Sequence, residues 1–121
     1  MRGAVLSELN IEDLVERFVQ LSLQEDVAAN VLRVSLVNRL VVQIHEISKE
    51  LARRPGDQRL VLTKLFSHPN LQVRFNVATN LFSLVPAEAR RQIEEIADSK
   101  VYPIAGHAGT YLLILDGPLS N

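Results

Sequence analysis

The chain has 121 residues, the length of a single domain, and 47% of them are hydrophobic while only 5% are aromatic. It contains no cysteine, which excludes disulfides, thiolate metal sites and cysteine nucleophiles. Its formal net charge of −1 argues against general affinity for nucleic acid or an anionic membrane, because both need a basic surface.

The first half of the chain predicts two helices separated by a break. The first begins after Asn10, whose side chain can accept hydrogen bonds from free backbone N–H groups. Ser22-Leu-Gln-Glu25 is typical of a capping box, which predicts that a second helix starts there and extends from about residue 25 to residue 54. Aliphatic side chains recur along it at the spacing of a buried seam: Val37, Leu40, Ile44, Ile47 and Leu51. Pro55-Gly56 ends it.

The second half predicts shorter helices separated by turns that contain proline. A short helix spans about residues 58–66, and Asn70 caps the next one, which extends to Leu84. Pro86 begins a helix that ends near residue 99, and Pro103 begins the last, which ends at Asp116. No segment predicts a strand, so we expect an all-α protein of five to six helices.

An internal repeat appears when residues 62–84 are shifted forward by 31 positions, so that Leu62 falls on Ile93. Apolar or small residues then coincide in pairs: Leu65 with Ile96, Val73 with Ile104, Val77 with Ala108, Ala78 with Gly109, Leu81 with Leu112, and Leu84 with Leu115. Two matching helical hairpins are typical of a short α-solenoid. We expect the first two helices to form an N-terminal helical cap on it.

Two resemblances follow from these residues. The segment Asn70-Leu-Gln-Val-Arg74, with Ala78 and Leu81 after it, resembles the second helix of a HEAT repeat. Further segments stand in the order of a small bacterial family, domain of unknown function twenty-nineteen: Val37-Asn-Arg-Leu40, His68-Pro-Asn70, Val73-Arg74, Pro86-Ala-Glu-Ala-Arg90, Glu95-Ile-Ala97 and Ala105-Gly-His-Ala-Gly109. The resemblance covers about residues 9–118 and departs at His107 and at the apolar run 111–115. It implies a HEAT-like α fold, and the family name implies no activity.

These patterns predict one HEAT-like domain over residues 9–118, with flexible tails at 1–8 and 119–121. No segment approaches the ~18 consecutive apolar residues of a membrane span. The first ten residues lack the long apolar stretch of a signal peptide. We therefore expect a protein of the cytoplasm, and the family resemblance implies that it is bacterial.

Three residues are expected to serve the fold. Asn70 caps a helix, and Arg74 lies within the apolar arc of the helix over residues 71–84, where an unpaired charge would be costly. The HEAT resemblance implies that Arg74 bonds turn carbonyls or a nearby acid; a site for an anionic ligand is the alternative. Gly109 takes the repeat position of Ala78, which close helix packing would explain.

A polar stripe predicts a surface for a partner protein. Its members are Asn76, Thr79, Asn80 and Ser83, with His107 and Tyr111 at matching positions of the second unit. The stripe becomes a recognition surface if it lies on the inner curve of a solenoid, and is otherwise solvated surface.

No metal site or cofactor is predicted. His45-Glu46-Ile-Ser-Lys49 falls short of the zinc motif H-E-x-x-H, because lysine does not ligate zinc at neutral pH. The basic pairs Arg53-Arg54 and Arg90-Arg91 are flanked by acids, which favours solvated faces over a nucleic-acid track.

The sequence favours a non-catalytic protein–protein interaction module, whose partner it does not name. An immunity-type protein that masks a toxin or partner enzyme is a sharper form of this hypothesis. A small enzyme using Arg74 with His68 or His107 as general base is the rival from another class. A homo-oligomer that buries Phe75, Phe82 and the run 111–115 between chains is a third alternative.

Overall fold

The computed structural model describes residues 5–117, and every regular element within that range is helical. The α-helices are α1 Ile11–Asn30, α2 Val34–Arg53, α3 Leu71–Asn80, α4 Pro86–Asp98 and α5 Ile104–Asp116. Shorter 3-10 helices span Leu6–Glu8 and Gln58–Ser67. The all-α prediction is confirmed. The first of these 3-10 helices lies in the predicted N-terminal tail, and the tail residues 1–4 and 119–121 lie outside the described range.

The chain divides into two compact units between Lys64 and Leu65. The first contains α1 and α2, and the second contains α3, α4 and α5. The organisation as one domain over residues 9–118 stays a prediction.

In the first unit, α1 and α2 form a helical hairpin whose core is aliphatic. The predicted seam of α2 is buried at four of its five positions, Leu40, Ile44, Ile47 and Leu51, and α1 contributes Leu14, Val15, Phe18, Ala28 and Ala29. The predicted break at Ser22–Glu25 is wrong, because α1 continues to Asn30 with Ser22 and Glu25 both buried inside it. No glycine or proline interrupts the helix there, and its apolar face continues to Ala29.

The real break follows Asn30 and is made by backbone hydrogen bonds. Arg33 N–H donates to the Ala28 carbonyl at 2.9 Å, and Leu32 N–H donates to the Ala29 carbonyl at 3.2 Å, which is the Schellman arrangement. Leu32 has a φ of 58°, in the left-handed region that favours glycine. Its side chain is 81% exposed, so burial of the side chain does not offset the strain.

A charged network joins the end of α2 to the first 3-10 helix. Arg54 Nε donates to Glu50 at 2.7 Å, while its Nη2 donates to the carbonyls of Leu9 at 2.7 Å and Leu6 at 3.1 Å. Arg53 donates to the other oxygen of Glu50 at 3.0 Å. The expectation of a merely solvated basic pair is therefore wrong for Arg54, whose guanidinium donates to Glu50 and to two backbone carbonyls.

In the second unit, three helices bury a shared cluster of small and branched side chains: Ala78, Ala89, Ile93, Ile96, Ile104 and Ala108. α3 ends at Asn80, four residues before the predicted end. Leu81 leaves helical geometry, and its carbonyl accepts from the N–H groups of Leu84 and Val85 in a closing turn. Pro86 disfavours helical backbone at the residue before it, so the chain turns before α4 begins.

Replacing Leu32 with glycine should increase the free energy of unfolding by about 1 kcal/mol, because glycine has no Cβ to strain the left-handed backbone. Urea denaturation of the full chain measures the change. Leu32→Ala is the matched control: it removes the same exposed side chain, keeps the Cβ, and should give no such gain. A lower stability of Leu32→Gly would contradict the assignment of strain.

Glu50 should make stability depend on pH. The hydrogen bonds from Arg54, and then those from Arg53, hold the pKa of this carboxyl below its ordinary value of 4.5. Its contribution is therefore complete above pH 4.5 and is lost as the pH falls through the lowered pKa.

The melting temperature of Glu50→Gln should accordingly be lower than that of wild type at pH 7. It should also fall less than the wild-type melting temperature when the pH is lowered. The control is Glu46→Gln, whose carboxylate pairs with the exposed Lys49 and should contribute little. Parallel acid profiles for wild type and Glu50→Gln would count against the network.

Candidate functional site

Most residues of the predicted polar surface on α3 form hydrogen bonds within that helix. Asn76 is only 7% exposed and accepts a hydrogen bond from Gln72 Nε2 at 3.0 Å. Thr79 and Asn80 donate back to the Asn76 carbonyl, at 3.3 and 2.8 Å. The expectation of an exposed stripe is wrong for Asn76; Thr79 and Asn80 are partly buried, and Ser83, in the turn after α3, is exposed. The helical wheel marked these residues as polar but did not show that they pair with one another.

Tyr111 also belongs to the interior more than to a surface. Its ring meets Phe75 edge-on, with centroids 6.0 Å apart, and lies 6.1 Å from the ring of Phe82. Burial raises the pKa of the Tyr111 hydroxyl above its ordinary value of 10.0, so it stays protonated at neutral pH. These contacts within one chain also use the aromatic side chains on which the predicted homo-oligomer depended.

Opposite the buried Ala108, α5 presents a largely apolar face to solvent. We call it the outer face of α5; its members fall on one side of the helix at 100° per residue: Gly106, His107, Gly109, Thr110, Leu113 and Ile114. Leu113 is 74% exposed and Ile114 is 70% exposed, and no Asp, Glu, Lys or Arg occurs between residues 104 and 115. His107 is the predicted partner residue that lies on this face.

α5 is therefore apolar on both sides although only one side is buried. A helix that is hydrophobic all round is ordinarily covered all round. The sequence signal for this face was the apolar run 111–115, which stood out as a departure from the family pattern. Sequence reasoning assigned the surface to polar residues instead.

Gly109 is not closely packed by any residue in the described part of the chain. A Cβ built at this position would meet no heavy atom within 4 Å, so the expectation of close helix packing is wrong. A glycine inside a helix costs about 1 kcal/mol relative to alanine. Among residues 5–117, no close neighbour requires a glycine here and so offsets that cost.

Arg74 joins α3 to α4. Its Nη1 lies 3.8 Å from Oε1 of Glu95, whose Oε2 accepts from Arg91 at 2.9 Å. The buried Nε of Arg74 has no hydrogen-bond partner among the described residues. Since Glu95 places a negative charge beside the guanidinium, the geometry opposes an anionic ligand there.

The residues of the rival enzyme do not come together. His68 Nδ1 accepts the Asn70 N–H at 3.0 Å, and Asn70 in turn caps α3 by accepting from Val73 N–H at 3.1 Å. Within residues 5–117, no hydrogen bond or ion pair connects Arg74 with His68 or His107. The turn uses His68 as a structural acceptor, and His107 is exposed on α5.

No cluster of three or more His, Asp or Glu residues that could hold a metal ion occurs in the described part of the chain. A shallow pocket runs along α1 and contains no histidine; its lining is Leu9, Asp13, Glu16, Arg17, Gln20, Leu21 and Gln24. None of the helices that the structure describes has both the length and the apolarity needed to cross a membrane.

These observations define an all-helical protein whose candidate site is an exposed apolar helix face. The chain belongs to the family described as domain of unknown function (DUF2019), which matches residues 12–116. It is also similar to a solved structure, the crystal structure of the protein RPA1889 from Rhodopseudomonas palustris CGA009, with 39% sequence identity, a TM-score of 0.84 and coverage of 94% of each chain. No curated protein matches the chain. The predicted family resemblance is confirmed.

Gly109→Ala should raise the free energy of unfolding by about 1 kcal/mol, since alanine favours the helix and its methyl group meets open space. Gly117→Ala is the opposite control, because a Cβ there would lie 2.8 Å from the Leu113 carbonyl oxygen and should destabilise the end of α5. Chemical denaturation compares both variants with wild type. A loss of stability in Gly109→Ala would show that the position is packed after all.

Proposed function

We propose that this protein is a non-catalytic protein–protein interaction module whose contact surface is the outer face of α5. The observation that carries the proposal is the high exposure of Leu113 and Ile114 on a helix segment without any charged side chain. Burying one such side chain contributes about 1.5–3 kcal/mol, so the two together can anchor a partner.

The glycines of the outer face support a helical partner. Gly106 is exposed, and neither Gly106 nor Gly109 is forced to be glycine by a close neighbour in this chain. Small residues on a helix let another backbone approach closely, while Leu113 and Ile114 supply apolar area. The face therefore suits a partner helix lying across α5.

The proposal includes a HEAT-like architecture acting in the bacterial cytoplasm. Its support is the 31-residue correspondence: Leu62 and Ile93, Leu65 and Ile96, Val73 and Ile104, and Val77 and Ala108 are all buried. An immunity-type role, in which the same face masks a toxin or a partner enzyme, is one form of this proposal, and the identity of the partner decides it.

Site-specific photo-cross-linking tests the face. A photoreactive amino acid placed at position 113 should capture one defined protein in cells, whereas the same group at the exposed Glu94 of α4 should not. In a second arm the photoreactive group stands at position 114, and Leu113→Lys should lower the capture at least about tenfold by placing a charge in the contact. Because Leu113 is exposed, the melting temperature of the Leu113→Lys variant should equal that of wild type.

Three outcomes are informative. Capture of a foreign protein at position 113 supports a binding module, and capture of a second copy of this chain redirects the proposal to a homo-oligomer. Equal capture at positions 113 and 94, or none at either, removes the outer face of α5 as the contact surface.

A further inference from the structure

The α1–α2 hairpin of the first unit exposes further aliphatic side chains, from the last turn of α1 through the connecting turn to the middle of α2. We call this surface the hairpin tip, and it consists of aliphatic side chains that are 47–81% exposed: Val27, Val31, Leu32, Val34, Val41 and Val42. The solvent side of an amphipathic helix is normally polar. Here the solvent side of α2 carries valines although its other side already supplies the core.

The tip is organised by helical spacing and not by chance exposure. Val27 lies on the last turn of α1 and Val31 directly follows that helix, while Val34 and Val41 are two turns apart on one side of α2 and Val42 lies about 100° from Val41. Leu32 lies in the turn that joins the two helices. The tip therefore continues from one helix, through the turn, to the next.

Leu32 provides an independent observation. Its backbone occupies the left-handed region, where glycine is the unstrained choice, and its side chain makes little contact within the chain. A strained residue whose side chain serves no internal packing points to a role outside the fold. The feature that this leucine adds to the turn is an exposed isobutyl group.

Two cations flank the tip. Arg33 in the turn and Arg39 on α2 are exposed, and neither has a carboxylate partner within residues 5–117. By comparison, Arg53 and Arg91 are also exposed but are ion-paired. Arg33 and Arg39 thus offer two positive charges without an ion-pair partner, which favours carboxylates on a partner that covers the tip.

We propose that the hairpin tip binds an amphipathic helix of a partner protein whose apolar stripe is flanked by carboxylates. The stripe covers the valines and Leu32, and the carboxylates pair with Arg33 and Arg39. An anionic membrane is disfavoured as occupant, because recognition of lipid headgroups uses clusters of about four to eight cations and the tip has two. This site lies in the first unit and does not depend on the outer face of α5.

Fluorescence anisotropy with two labelled synthetic helices of about 20 residues tests the charge preference on the full chain. Both carry the same leucine stripe, which glutamates flank in one and lysines in the other. The glutamate helix should bind at least about tenfold more tightly, and its affinity should fall as salt is added. The double variant Arg33→Glu, Arg39→Glu should reverse the preference.

The Leu32→Gly substitution should change stability and binding affinity in opposite directions. The variant should bind the glutamate helix about five- to tenfold more weakly while unfolding at a higher temperature than wild type. Lys100→Gly is the matched control: Lys100 is also exposed and has a φ of 60°, so it should gain stability without any change in binding. A merely structural Leu32 would give the stability change alone.

Equal affinity for the two helices, or no binding of either at about 1 mM, overturns the proposal. Binding to phosphatidylserine–phosphatidylcholine vesicles in preference to the glutamate helix overturns it in favour of a membrane. Cross-linking from position 113 should be unaffected by the Arg33 and Arg39 substitutions, so failure of this site and failure of the outer face of α5 are separate results.

Discussion

Every α-helix of this protein depends on burying one aliphatic stripe against a neighbouring helix. A chain with 5% aromatic residues and no cysteine has neither large rings nor cross-links to supply most of its stability, so branched and small side chains must meet closely along each seam. In the first unit the α2 seam from Leu40 to Leu51 does this. In the second, Ala78 and Ala108 let helices approach while Ile93 and Ile96 fill the space between them.

Polar residues mainly serve the ends of these helices. Asn10 and Asn70 accept the first free N–H groups of α1 and α3, and His68 holds the turn before α3. Arg54, at the end of α2, donates to the backbone carbonyls of Leu6 and Leu9. Side chains that look like catalytic or binding residues in the sequence are thereby occupied with backbone geometry. The exposed surfaces that we propose for binding are, by contrast, largely apolar.

Each proposed surface contains one residue that locally destabilises the chain although the fold does not require that residue. Gly109 gives up helical stability where an alanine methyl would meet open space. Leu32 accepts left-handed backbone where glycine would be relaxed. Each lies beside exposed aliphatic side chains, Leu113 in one case and Val31 in the other. A partner that covers the aliphatic area can compensate for these costs, which a monomer in water cannot recover.

The sequence by itself determined the helical class, the family, the caps at Asn10 and Asn70 and the α2 seam, because these depend on local spacing and on groups a few residues apart. Only the tertiary structure decided which faces are exposed. Asn76 is buried although it is polar, and Gln72, one turn earlier on the same helix, donates to its side chain. Tyr111 is partly buried because its ring packs against Phe75 and Phe82. Leu113 is exposed because the buried stripe of α5 lies on the opposite side. The polarity of a residue indicates how costly it is to bury or to expose its side chain. Contacts with residues distant in sequence determine whether the side chain is buried or exposed.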